Sequence, residues 1–223
     1  EGPMPQTRSV LKKALEREIN RFRDLPTIEN ALKEAPPQAW LGVMQVIRRS
    51  QRAGEYAYDW AVWRHDINAE EVRLAALLHD LSEILLWCFA PKLAMDIRRV
   101  LAENMGMRST AAQEQVLGFP LQELQLLLCQ NWHLPELLGK LIDDAHADSP
   151  RCKNVSLAVR LARHSAQGWN DPALPDDYTE IGELLHLSPE TVMQRVGAPP
   201  ELLKSAAEMP ASPLEQPEQP EAQ

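Results

Sequence analysis

His79 and Asp80 stand side by side at the end of an apolar run, Leu74-Ala75-Ala76-Leu77-Leu78, and are followed by Leu81-Ser82-Glu83. An imidazole nitrogen and a carboxylate oxygen on adjacent residues can ligate one divalent ion together. An ion held in this way polarises a phosphoryl oxygen and makes a nucleophile of bound water, which is the chemistry of phosphate hydrolysis. A site of this kind needs about four protein ligands from different helices. Besides the pair, it wants a histidine upstream and an aspartate downstream.

Most of those partners are missing. Where an upstream ligand would fall, the chain reads Arg48, Arg49, Ser50, Gln51 and Arg52, with no histidine. His65, next to Asp66, lies in a polar turn just before Asn68 and reads as a solvated helix-end pair. Downstream, Asp143, Asp144 and His146 form the one other cluster of suitable donors, and residues three apart share a helical side. The segment Asn154 to His164 holds no carboxylate; Val159 and Arg160 occupy its middle. The remnant metal candidates are therefore His79, Asp80, Asp144 and His146, and no bound metal or other cofactor is expected. In the structural alternative, Asp80 accepts hydrogen bonds from helix termini or arginines and His79 is a satisfied core imidazole.

The elements that must position these side chains are helical. Leucine, alanine, glutamine and glutamate abound, β-branched residues are sparse, and no period-2 alternation is sustained. Val10 to Phe22 predicts an opening amphipathic helix, ended by Leu25-Pro26, with Thr27 capping a short helix through Leu32. Pro36-Pro37 starts a segment through Trp40, Val43, Met44, Val46 and Ile47, and Tyr56 to Trp63 continues helically. Asn68 caps a single helix over Ala69 to Phe89. Lys92 to Asn104 follows, then a short helix with a Thr110–Gln113 capping box ending at Gly118. Pro120 to Asn131, Pro135 to Ala147 and Pro150 to Ala166 each begin at a proline. Two short helices, Tyr178 to Leu185 and Pro189 to Val196, precede a weaker one over Pro199 to Glu208. The expectation is one all-α bundle of about ten helices: an N-terminal helix over 1–26, a helical domain over 27–208, and a disordered Pro/Glu/Gln-rich tail over 209–223.

Composition bounds the function classes. The chain of 223 residues is 44% apolar and 25% charged, enough for one domain with a real core. Its net charge of −9 argues against a general binder of nucleic acid or acidic membrane. Cys88, Cys129 and Cys152 are odd in number and sit in helical contexts, which fits reduced thiols in a cytoplasmic protein. No apolar run is long enough to cross a bilayer, and the first residues carry no signal-peptide pattern.

The pattern resembles the HDOD family, bacterial helical domains related to the HD and HD-GYP phosphohydrolases. The resemblance covers roughly Thr27 to Trp169. It rests on Ala75-Ala76-Leu77-Leu78-His79-Asp80, on Leu117-Gly118 leading to Trp132-His133-Leu134-Pro135-Glu136, and on Ile142-Asp143-Asp144-Ala145-His146. Three departures stand out: Ser82 replaces a usual glycine, Phe119-Pro120 replaces a common histidine, and Ala145 leaves His146 without its paired histidine. The resemblance implies a signalling or regulatory module that binds another protein, or a nucleotide second messenger, without hydrolase activity. The alternative it leaves is a metal-dependent phosphohydrolase with an atypical site.

Several other features have plainer readings. Tyr56, Trp60 and Trp63 recur at helical spacing and read as a core stripe, and Trp132 as a residue packing its turn. Ile181 to Val196 resembles a helix-turn-helix with Ser188 as cap. Around it Asp176, Asp177, Glu180, Glu183, Glu190 and Glu201 outnumber Arg195 and Lys204, so a DNA-binding regulator is a second alternative only. Arg48, Arg49, Arg52, Arg98 and Arg99 either bind a phosphate or partner carboxylates; the latter is the default.

Overall fold

The computed structural model describes residues 5–21, 30, 33–104, 106–143, 149–199 and 201. Every regular element among them is helical. In chain order these are α1 (Pro5–Arg21), α2 (Pro37–Trp63), α3 (Ala69–Leu78), α4 (Leu81–Phe89), α5 (Pro91–Glu103) and α6 (Ser109–Leu117). Next come α7 (Leu121–Asn131), α8 (Glu136–Ile142), α9 (Pro150–His164) with a 3-10 turn at Ser165–Gln167, α10 (Leu174–Leu185) and α11 (Pro189–Arg195). Most of the Thr27–Leu32 helix, the end of the Pro135–Ala147 helix, most of the Pro199–Glu208 helix and the 209–223 tail lie outside the described residues. No helix among the described residues is long and apolar enough to cross a membrane.

Helix α2 is the spine. Its 27 residues run without a break through Arg48 to Glu55, where the apolar pattern lapses. Its two halves serve two apolar cores. Ala39, Val43 and Val46 join one core with α1, α4, α5, α6 and α7. Ala53, Ala57, Trp60 and Ala61 join the other with α3, α8, α9, α10 and α11. Small residues let partner helices come close: a side chain at Gly54 would meet Leu77 of α3 at 2.7 Å, and Asn154 of α9 donates to the carbonyl of Ala57. Residues beyond α8 thus share a core with the spine. Between the two cores α2 carries Arg49 and the buried Ser50.

The main departure from the sequence reading is that Ala69 to Phe89 is two helices, not one. α3 stops at Leu78, and Asp80 (φ −99°, ψ 23°) precedes α4. No Gly or Pro marks the break. The expected Thr110–Gln113 capping box is also absent. Gln113 instead donates to Ser109 Oγ and accepts the Leu121 N–H, tying α6 to α7. Pro120 and Pro135 cap α7 and α8 from just outside rather than opening them. Ser188 does cap α11, accepting from Thr191 N.

Three of the described histidines end helices. His65, His133 and His186 have φ of 56°, 53° and 56°, the left-handed conformation that closes a helix C-terminus. The following residues complete the motif, with Asp66, Leu134 and Leu187 donating back to Ala61, Cys129 and Gly182. These histidines have a structural reason to be polar and exposed chain-reversing residues.

Candidate functional site

The break between α3 and α4 lies at the seam of the two cores, and His79 and Asp80 are its two residues. Gln125, buried on α7, splints it. Its Nε2 donates to the carbonyl of Leu78 (3.0 Å) and its Oε1 accepts the N–H of Ser82 (2.7 Å). One side chain therefore satisfies the last turn of α3 and the first turn of α4, where helix-end groups would otherwise be orphaned. Because Gln125 serves as the cap, the Asp80 carboxylate makes no cap bond of its own and turns towards α2.

There it meets Arg49. Arg49 Nε and Nη2 donate to Asp80 Oδ2 at 3.0 and 2.6 Å, and Nη2 also donates to Glu83 Oε2 at 2.7 Å. Asp80 Oδ1 lies 2.9 Å from His79 Nδ1 and 3.6 Å from Arg163 Nη2 of α9. Burial alone would push the Asp80 carboxyl up. The Arg49 charge, the His79 hydrogen bond and Arg163 outweigh it and hold the group well below the usual carboxylate range. Burial likewise opposes the Arg49 charge, but Glu83 and Asp80 lift its pKa above the ordinary arginine value. The pair is ionised, buried and charge-assisted.

This arrangement bears on the metal chemistry the His-Asp pair suggests. Both Asp80 oxygens are engaged, and one ring nitrogen of His79 is bonded to its neighbour rather than turned to an open position. A divalent ion on the same carboxylate would stand close to the guanidinium. At about 4 Å and an effective dielectric of about 20, two unit charges repel by about 4 kcal/mol, and a doubly charged ion by about twice that. Among the described residues no three His, Cys, Asp or Glu side chains converge as a metal site would require. Of the other candidates, Asp144 and His146 lie outside the described residues. Asp143 is half-buried just after α8. His65 ends α2, and Asp66 pairs with Arg151 at 3.0 Å, so neither belongs to the seam.

A second buried carboxylate has the same kind of company without any motif to announce it. Asp177, in the first turn of α10 and 1% exposed, accepts from Arg160 Nε at 2.6 Å and lies 2.6 Å from His164 Nδ1. Arg160 also pairs with Glu180 at 2.7 Å. Arg160 and His164 share one side of α9, and Arg163 on another side reaches Asp80. One helix thus supplies cations to both carboxylates.

Sequence reasoning named Arg49 only as one of a basic cluster. Its default reading, a carboxylate partner, is what the structure shows for it. Gln125, Glu83 and Arg163 gave no local signal. The aromatic stripe is split: Trp60 is fully buried with Tyr56 stacked on it at 5.8 Å, whereas Trp63 is exposed beneath Arg195, 4.5 Å from its ring centroid. Burial pushes the thiol of Cys88 up to about 11 and raises that of Cys129 as well, so neither is poised as a nucleophile.

These features meet their relatives at this point. The family model described as HDOD domain matches residues 25–148, more than half of the chain. The chain belongs to the HDOD family. Two solved structures share the fold at low identity. One is an "HDOD domain protein with unknown function" from Geobacter sulfurreducens, with TM-score 0.58, 16% identity, and coverage of 81% of this chain and 66% of that one. The other is a "Putative phosphohydrolase" from Shewanella amazonensis SB2B, with TM-score 0.51, 18% identity, and coverage of 73% of this chain and 60% of that one. The matched region thus amounts to 60% and 66% of those two chains. No curated protein matches.

Proposed function

We propose that this HDOD domain is a non-catalytic module of signal transduction or regulation that works by binding a protein, with a nucleotide second messenger as the other ligand class. The observation that carries the reading is the Arg49 guanidinium on Asp80. It supplies the positive charge that a metal would bring to an HD pair, and it does so from the stretch where an upstream histidine ligand would have to stand. A site already neutral has no electrostatic need for an ion. Free, buried cysteines support a reducing, cytoplasmic location.

The phosphohydrolase alternative draws on the Shewanella amazonensis likeness and needs His79, Asp80, Asp144 and His146 to converge on a metal. The DNA-binding alternative is disfavoured by Arg195, the basic residue of the C-terminal helix pair. Arg195 donates to both oxygens of Asp59 at 2.7 and 2.9 Å and covers Trp63. Elemental analysis of the purified chain, with a phosphodiester turnover assay in added manganese, separates the readings. The proposal expects no stoichiometric metal and no turnover above a His79→Ala control. Tightly bound iron, manganese or zinc that is lost in His79→Ala would overturn it.

A further inference from the structure

The first half of α2 keeps an apolar surface that its own cores do not use. Trp40 is 45% exposed, Leu41 62% and Met44 38%. The three lie within little more than one helical turn of α2. Beneath them the helix is fixed: a side chain at Gly42 would fall within 2.4 Å of the buried Trp87 ring, so α2 lies directly on α4. Arg98 of α5 is held at the edge of this surface. Its guanidinium lies over Trp87 at 5.1 Å and donates to Gln45 Oε1, one residue from Met44. Arg48, exposed one turn beyond Met44, continues the same face.

We infer that Trp40, Leu41 and Met44, flanked by Arg48 and Arg98, form a docking surface for an acidic amphipathic helix of a partner protein. Exposed aromatic and methionine side chains beside arginines are the composition of interface centres, and methionine adapts to varied partners. The sign of the partner follows from charge. The chain carries −9 overall, yet the rim of this surface holds two exposed arginines, and Arg98 is held there by an aromatic ring and an amide rather than by a carboxylate. Its shape follows from the fold: among the described residues there is no strand whose edge a peptide could extend, which leaves side-chain packing along a helix. The inference rests on the reading that the domain acts by binding. It is separable from that reading, because metal content and turnover are measured at the seam and docking at α2.

The test is to pan a display library of random peptides on the full chain and measure the enriched peptides by fluorescence anisotropy. The expected winners carry leucine, phenylalanine or tryptophan at helical spacing with glutamate or aspartate alongside. Their affinity falls about tenfold or more in Met44→Asp and in Arg48→Glu/Arg98→Glu, weakens with added salt, and is unchanged in Arg73→Glu, on α3. Circular dichroism confirms that each variant is folded. The inference is overturned if no peptide is enriched, if the winners are neutral or basic, or if they bind the two α2-surface variants undiminished. It is equally overturned if Met44→Asp instead dissolves a dimer of this chain, or abolishes binding of a single-stranded oligonucleotide.

Discussion

Asp80 and Asp177 are two buried carboxylates that solve the same problem in different ways. Each is bonded to an arginine and lies against a histidine. At Asp80 the histidine is the preceding residue and the main cation comes from α2; at Asp177 the arginine and the histidine both come from neighbouring turns of α9. One is written as an HD dipeptide and invites a metal reading; the other is invisible in the sequence. Their surroundings are alike: a His-Asp contact beside an arginine occurs twice among the described residues. The difference lies in what depends on each. Asp80 sits at a helix break on the seam of two cores, whereas Asp177 ties two adjacent helices of one core.

The largest expected effect comes from removing the main cation at the seam. Arg49→Leu leaves Asp80 charged and buried, with Arg163 only at 3.6 Å, and is expected to cost about 3–5 kcal/mol by urea unfolding. Arg160→Leu removes the matching cation at Asp177, but Arg160 is a third exposed and His164 remains at 2.6 Å. A loss of about 1–2 kcal/mol is expected there. Equal losses would erase the distinction between the two sites.

Acid sharpens the comparison. The Asp80 carboxyl is held below its unfolded value of about 3.9, so the folded state binds fewer protons there. Its contribution to stability is complete above about pH 4 and is lost as the pH falls through the folded value. Without Arg49, the burial that pushes the Asp80 carboxyl up is opposed only by His79 and Arg163, so the variant has less stability to lose on acidification. The gap between wild type and Arg49→Leu therefore narrows as the pH falls below about 4. A gap independent of pH would mean that packing, not charge, is what Arg49 supplies.

A more local effect concerns the break itself. Gln125→Leu removes both splinting bonds and leaves the Leu78 carbonyl and Ser82 N–H unpaired in a buried place, for about 1–3 kcal/mol. Hydrogen exchange should then quicken at Ser82 and Glu83 first, while amides around Asp177 keep their protection.

The helical class was legible because it rests on period and local stops. Apolar spacing found nearly every helix, and Pro37, Pro91, Pro150 and Pro189 mark first turns. The break at His79-Asp80 was not legible, because the apolar pattern runs straight through it and the side chain that sustains it, Gln125, stands 45 residues beyond Asp80 in the sequence. The seam was half legible. The absence of an upstream histidine could be read from residues 48–52. That Arg49 rather than Arg48 or Arg52 turns inward depends on how α2 is rotated between two cores, a tertiary fact. The exposure of Trp40 and Met44 is a tertiary fact of the same kind, since periodicity shows that a face is apolar without showing that anything covers it.

The claim on which the account turns is that Arg49 is the counter-charge of Asp80. The double-mutant cycle of Arg49→Leu and Asp80→Asn, followed by urea unfolding at neutral pH, measures it directly. The account predicts that adding Asp80→Asn to Arg49→Leu recovers much of the lost stability, with a coupling of about 2 kcal/mol or more. Additive losses, or an Arg49→Leu protein as stable as wild type, would contradict it.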